Sequence, residues 1–370
     1  MTKKAVITGV AALLLLGGAT IYRFYFMRAR NAVEDLIQRK KIINILIAGG
    51  NAESENKHSF YAVASINPQN NRIGVTFIPP SFRIRIDDDE YSRIDQVPAF
   101  NYNRIRHSLQ MDLGLSIPFY IEIHAKGAAR IIDLIEGVDL FLLDQSKEDA
   151  INSASTAYFD GGMVVNYINR VEQNSIYLKY DRILDVLLTL YGNREGLERF
   201  IRPDFVQEAM KSITTNLLPQ EIMRIAEIVM NDGDLMFTVV PGVVKDGYYI
   251  MDDITLRIYQ KEFISNLIVE RSEREIDASI KIKILNATDV PGLARKMREG
   301  LIRDGLNVVE FGTASSLNLP RSVIVNRKAS FGMIRRVAEL TGINTICHVI
   351  DSTQLCNVMV LIGSDRNKQR

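Results

Sequence analysis

The chain has 370 residues, 47% hydrophobic and 24% charged; this balance excludes wholesale disorder and leaves room for two or three domains. Its formal net charge of +1 provides no global basic field to mark nucleic acid as the main partner. The two cysteines, Cys347 and Cys356, lack zinc-ligand spacing, and with four His in the chain a structural metal site is not expected. In an oxidising compartment the two thiols are able to pair, a point their sequence proximity leaves open.

Ala5 to Tyr22 is an uncharged run centred on Ala-Ala-Leu-Leu-Leu-Leu. As a helix it covers about 27 Å, barely the hydrocarbon core of a bilayer. Lys3 and Lys4 precede it and Arg23, Arg28 and Arg30 follow, so positive flanks on both sides do not orient it. Gly17-Gly18-Ala19 offers small residues for a signal-peptide cleavage site. The amphipathic stretch from Tyr22 runs on without a break, however, which favours a retained anchor. Residues 1–30 are read as a single-pass anchor in a bacterial cytoplasmic membrane, with the bulk of the chain extracytoplasmic. No cysteine lies nearby to carry a lipid.

Arg28 to Arg39 reads as a polar helical stalk. Strands are expected at Lys41–Gly50, Phe60–Asn67 and Ile73–Ile78, the last two joined by the turn chemistry of Asn67-Pro-Gln-Asn-Asn71. Pro79-Pro80 stops the third. Arg83 and Arg85 then share one face of a short strand, and Asp87 to Glu90 is a solvated turn. Phe100–Leu113 and Lys126–Ile135 pattern as helices; Phe119–His124 and Val138–Leu143 pattern as strands. Leu178–Leu190 and Leu197–Met230 read as mainly helical, and Phe237–Val244 as a strand interrupted by Pro241-Gly242. Around Val269 to Asp277 the apolar periodicity is lost, so residues 268–278 are assigned as a linker. Beyond it, strands at Ser279–Leu285, Leu306–Phe311, Arg321–Asn326 and Val358–Ile362 alternate with helices at Gly292–Gly305 and Phe331–Leu340. This is a compact β-α-β-β-α-β unit over 279–366. The fold class is α/β (α+β), with helices covering a central sheet.

Two stretches carry a family resemblance. Ile284-Leu-Asn-Ala-Thr-Asp-Val-Pro-Gly-Leu-Ala294 and Val358-Met-Val-Leu-Ile-Gly-Ser-Asp365 resemble the LytR C-terminal domain. Residues 42–267 resemble the LytR–CpsA–Psr (LCP) catalytic domain, through Asn44-Ile-Leu-Ile-Ala-Gly49, Ala64-Ser-Ile-Asn-Pro68, Ile78-Pro79, Leu113-Gly-Leu-Ser-Ile-Pro-Phe-Tyr120, Gly137-Val-Asp139, Asp160-Gly161 with Tyr167, and Pro241-Gly242. The resemblance implies one N-terminal anchor helix and transfer of a glycopolymer from a polyprenyl-pyrophosphate carrier to peptidoglycan. It also implies an apolar tunnel for the lipid, with Arg side chains and a Mg²⁺-binding Asp on the pyrophosphate. Planar Arg forks and a hard cation suit the dense charge of that group.

At the chemical positions this sequence departs from the family. Lys57-His-Ser-Phe60 stands where the family has Arg-Ser-Asp-Thr, so the metal-binding Asp becomes Ser59 and the Arg becomes Lys57. Ile78-Pro-Pro-Ser81 replaces Ile-Pro-Arg-Asp. Tyr167-Ile-Asn-Arg-Val171 replaces Tyr-Val-Arg-x-Arg, leaving Arg170 one position out of register, and the later Arg-x-x-Arg becomes Lys179-Tyr-Asp-Arg182. No catalytic residue is assigned. Lys57, Arg83, Arg93, Arg104, Arg170 and Arg182 are the candidates for an anion- or phosphate-binding site, each weighed against a solvated surface charge. Lys57 leads because its place aligns, although it offers a point charge and not a fork. His58 lies in a loop with no partner visible and is read as a spectator; Asp160 is read as a turn or cap residue. The basic helix from Arg295 to Arg303 is read as a solvated face, with anionic polymer or lipid headgroups as the alternative. The expectation is a degenerate LCP-type envelope scaffold that binds peptidoglycan, a polyprenyl-linked precursor or an envelope protein, and no nucleic acid. The alternative is an active phosphotransferase, and only that alternative calls for Mg²⁺.

Overall fold

The computed structural model describes residues 31–50, 58–87, 90–98, 102–142, 155–170, 176–268, 280–315 and 318–366. The run Ala5–Tyr22, Lys57 and the stretch Val269–Asp277 lie outside them. Among the described residues no helix is long and apolar enough to cross a membrane.

The stalk is helical over α1 (Ala32–Gln38), whose first turn is capped by Asn31, its side chain accepting from the Glu34 N–H at 3.1 Å. Next come β1 (Ile43–Gly50), β2 (Phe60–Asn67) and β3 (Arg72–Ile78), then the hairpin β4 (Arg83–Asp87) and β5 (Glu90–Arg93). They are followed by α2 (Tyr102–Leu113), β6 (Phe119–His124), α3 (Ala125–Leu134), β7 (Val138–Leu142), β8 (Ser155–Phe159), α4 (Gly161–Asn169) and α5 (Ile176–Gly192). The stretch expected to be helical from Leu197 to Met230 is broken into α6 (Pro203–Met210), β9 (Ile213–Thr215) and α7 (Pro219–Met230). Pro203 and Pro219 explain the breaks: each opens a new helix, where its missing N–H costs nothing. The strand expected over Phe237–Val244 likewise ends early, as β10 (Leu235–Val239). Beyond Pro241, β11 (Val243–Lys245) pairs instead with β12 (Tyr248–Ile250) and leads into α8 (Asp253–Tyr259).

Six strands form a mixed sheet in the order β10-β3-β2-β1-β6-β9, with β1 parallel to β6 and β3 parallel to β10. Alternation along β1 builds both faces: Ile43, Ile45 and Ile47 join one apolar layer, Leu46 and Ala48 the other. α1, α5 and α7 cover the first layer; α2 and α8 cover the second. In the second layer Leu46, Val63, Ile105, Leu109, Leu113, Ile117 and Leu267 are all 0% accessible, so no water-sized space touches them.

The second module contains β13 (Lys281–Asn286), α9 (Leu293–Arg303), β14 (Asn307–Thr313), β15 (Val323–Asn326), α10 (Phe331–Thr341), β16 (Ile346–His348) and β17 (Val358–Ile362). The sheet order is β14-β13-β17-β15-β16, one strand more than the sequence pattern indicates. Cys347 and Cys356 are both buried and free.

The modules share a core. Phe331 and Ile350 belong to the same apolar cluster as Leu184 and Leu188 of α5, and the Tyr191 ring meets Phe331 edge-on at 4.8 Å. Four carboxylates of the first module receive donors from the second, one of them Asp232 from Arg335 at 3.2 Å. Asp185 accepts from the Ile350 N–H at 2.5 Å, and Asp181 from the Ser352 N–H at 3.1 Å. Asp234 accepts from the Ser330 hydroxyl at 2.9 Å and the Gly332 N–H at 2.6 Å, at the start of α10.

Candidate functional site

The parallel strands β1 and β6 end side by side, Gly50 opposite His124, where the chain returns through His58 and Ser59 into β2. Strand ends of this kind are where open α/β sheets gather ligands. Gly49 makes room there, since a Cβ on it would fall 1.8 Å from the Phe60 ring.

Tyr120, Glu122 and His124 share one face of β6, which brings them beneath α2 and beside His58. The sequence offers His58 no visible partner, but the fold provides several. Its Nε2 lies 2.8 Å from Glu122 Oε1, and its Nδ1 lies 3.2 Å from the Tyr61 hydroxyl. The Tyr102 hydroxyl is 3.4 Å from Nε2, and His124 Nε2 is 3.4 Å from the same Glu122 oxygen. The His58 side chain is wholly buried, and burial lowers its pKa against the opposing pull of Glu122. Burial pushes the Glu122 carboxyl upward, but hydrogen bonds from Tyr102 and His58 outweigh it, so its pKa settles below the ordinary value. The consistent state is a neutral His58 that donates Nε2–H to an ionised Glu122 and accepts from Tyr61 at Nδ1, a tautomer assigned from these partners. Burial, then the charge of Glu122, raises the Tyr102 phenol, which stays a donor.

The other wall is α5. Lys179 Nζ donates to Ser59 Oγ at 3.0 Å, and the Ser59 N–H donates to the Gly49 carbonyl at 2.6 Å. Tyr180 anchors this turn of the helix: its hydroxyl donates to the Ile78 carbonyl at 2.8 Å and its ring stacks on Phe77 at 4.5 Å. Ser59 and Lys179, which stand where the LCP pattern has a metal-binding Asp and an Arg, therefore meet in space. These residues do not fit a Mg²⁺ ion. That ion requires an octahedron of hard oxygens, whereas among the described residues the Ser59 hydroxyl takes the Lys179 ammonium and the Glu122 carboxylate is taken up by imidazole and phenol. Among the described residues no group of three His, Cys, Asp or Glu is arranged to hold a metal.

The other sequence candidates lie on separate elements. Arg83 and Arg93 face each other across the β4–β5 hairpin, Arg83 over the Tyr91 ring at 4.7 Å and Arg93 forked onto Asp95 at 2.7 and 3.0 Å. Arg104 is exposed on α2, and Arg170 is exposed just beyond α4. Arg182 is turned inward, bonded to the Tyr167 hydroxyl at 2.7 Å and 3.4 Å from Asp185. Asp160 is the N-cap of α4, accepting from the Met163 N–H at 2.7 Å. Sequence reasoning missed Glu122, His124 and Tyr102 as a group. The available signal was the alternation of β6, which puts three polar or aromatic side chains on one face.

The molecule is thus a mixed-sheet α/β protein with a polar site at its strand ends, fused to a small α/β module. Residues 279–365 match the LytR_C family, described as LytR cell envelope-related transcriptional attenuator. No curated protein matches the chain in sequence. Among solved structures, the chain is similar to TagT bound to LI-WTA, with TM-score 0.51 and 14% identity over 62% of this chain and 92% of that one. It is also similar to TagV of B. subtilis (TM-score 0.48, 15% identity, 63% and 99% covered). A third similar structure is the transcriptional regulator EF0465 of Enterococcus faecalis (TM-score 0.49, 17% identity, 64% and 91% covered). The likeness to TagT shows a shared fold. The family match covers the C-terminal module alone.

Proposed function

We propose that this chain is a membrane-anchored, extracytoplasmic LCP-type scaffold that binds a phosphate-bearing envelope glycopolymer or its lipid-linked precursor without transferring it. The observation that carries the reading is the Lys179–Ser59 contact, a hydroxyl where the family pattern calls for a metal-binding carboxylate and an ammonium where it calls for a guanidinium. An ammonium still attracts a phosphate, but it supplies neither bidentate geometry nor the second positive charge of a divalent ion. The TagT structure that shares this fold is bound to LI-WTA, which makes such a polymer the first ligand to test. The closed second layer of the core, with Leu109, Leu113 and Ile117 at 0% accessibility, favours recognition of a headgroup over burial of a long lipid chain.

The test measures two things on the full chain in detergent: binding of a short polyprenyl phosphate, with and without EDTA, and Mg²⁺-dependent release of lipid phosphate from a polyprenyl-pyrophosphate glycopolymer. Binding should be indifferent to EDTA and weakened in Lys179→Ala, and release should be absent. Robust Mg²⁺-dependent release would replace this reading with the active phosphotransferase.

A further inference from the structure

The C-terminal module carries a surface of different chemistry. α9 bears Arg295, Lys296, Arg298 and Arg303 against Glu299 alone, and helical spacing sets Arg295, Arg298 and Ile302 on one stripe. Beside that stripe runs β14, the end strand of its sheet, so its outer row of backbone N–H and C=O groups meets no strand among the described residues. The Arg298 guanidinium sits over the Phe311 ring at 5.1 Å. Phe311, Val309 and Ile302 are exposed by 42%, 48% and 44%, a contiguous apolar strip flanked by guanidinium groups. Glu310 does not neutralise the strip, because Lys283 holds it at 2.9 Å. A bulge in the pairing of β13 with β14 leaves Val309 outside the ladder, yet Glu310 to Thr313 run on in regular register.

Each feature alone is unselective. An open strand edge accepts any extended chain, and a cationic helix accepts any polyanion. Together they select. We propose that the β14–α9 face docks an extended acidic segment of a protein partner. That segment adds a strand to β14, lays an apolar side chain on Phe311, Val309 and Ile302, and sets its carboxylates against Arg295, Arg298 and Arg303. Main-chain pairing provides the affinity, and the guanidinium stripe the preference for acidic sequence. The phosphate site at the other module plays no part in this contact.

The experiment uses the full chain in detergent and a fluorescent decapeptide of alternating Glu and Val, with an alternating Lys and Val decapeptide and dextran sulfate as comparators. The acidic peptide should bind, weaken with added salt, and protect the backbone amides of Asn307–Thr313 from hydrogen exchange. Arg298→Ala should lose about tenfold in affinity, the scale of one charged hydrogen bond. Arg295→Ala and Arg303→Ala, whose side chains make no ion pair among the described residues, should weaken binding with the fold untouched, so the test survives if Arg298→Ala unfolds. Equal binding of both peptides, binding of dextran sulfate alone, or unchanged affinity in the folded variants would overturn the proposal.

Discussion

Asp185 of α5 accepts a hydrogen bond from the Ile350 N–H at 2.5 Å, across 165 residues of chain and from one module to the other. The carboxylate is 1% exposed and also takes the Tyr167 hydroxyl at 2.6 Å, with Arg182 at 3.4 Å. A buried carboxylate with these donors ties the C-terminal module to the helix that carries Lys179.

That carboxylate should make stability depend on pH. Burial pushes the Asp185 pKa up to about 7, against an ordinary 3.8, with the Tyr167 and Ile350 hydrogen bonds and Arg182 opposing and Asp181 adding to the rise. A folded-state pKa above the unfolded one contributes stability that is complete below about 4 and is lost as pH rises through about 7. Asp185→Asn removes this titration. The melting temperature of the wild type minus that of D185N should therefore fall between pH 5 and pH 7 and level off above. A difference that does not change with pH would sink the argument.

Ile350 is 3% exposed and packs in the core of the first module. Truncating it to Ala should cost about 2–5 kcal/mol, the range for a large-to-small change in a packed core. Because the core is shared, the loss should lower a single cooperative transition in denaturant. Two separate transitions, with only one displaced, would show that the modules unfold independently.

Cleavage in the stretch 269–279 should not separate the modules. The Asp181, Asp185 and Asp234 contacts and the Phe331 packing hold them without the intervening chain. After limited proteolysis the two fragments should co-elute on size exclusion and part only in denaturant. Elution as two species under native conditions would contradict this.

The His58–Glu122 pair gives a titration with a defined sign. Burial lowers the His58 pKa, and the Glu122 hydrogen bond and charge partly restore it. Replacing Glu122 with Gln removes that restoring influence, so the imidazole should titrate lower still. The measurement is the NMR titration of the His58 ring protons in wild type and Glu122→Gln; a shift upward would assign the wrong partner to the ring.

Where the sequence was read correctly, the information was local. Phe60–Asn67, Phe119–His124 and Val358–Ile362 form as the apolar pattern indicates, because alternation or a continuous apolar run is written into consecutive residues. The resemblance of residues 279–365 to the LytR C-terminal domain rests on the same kind of signal, a run of consecutive residues. Short strands such as β9 and β12, three residues each, carry too little pattern to be seen; β9 forms on the edge of β6, and β12 by folding back on β11. The site depended on distance. Lys179 meets Ser59 across 120 residues and Glu122 meets His58 across 64, contacts that no spacing rule reaches. Arg182, an open cation in the sequence, is turned into the interior by Tyr167 and Asp185. Asp181 and Asp185 look like solvated helix charges until the second module covers them. Their burial, and the pKa shift that follows from it, comes from packing between parts of the chain that the sequence keeps far apart.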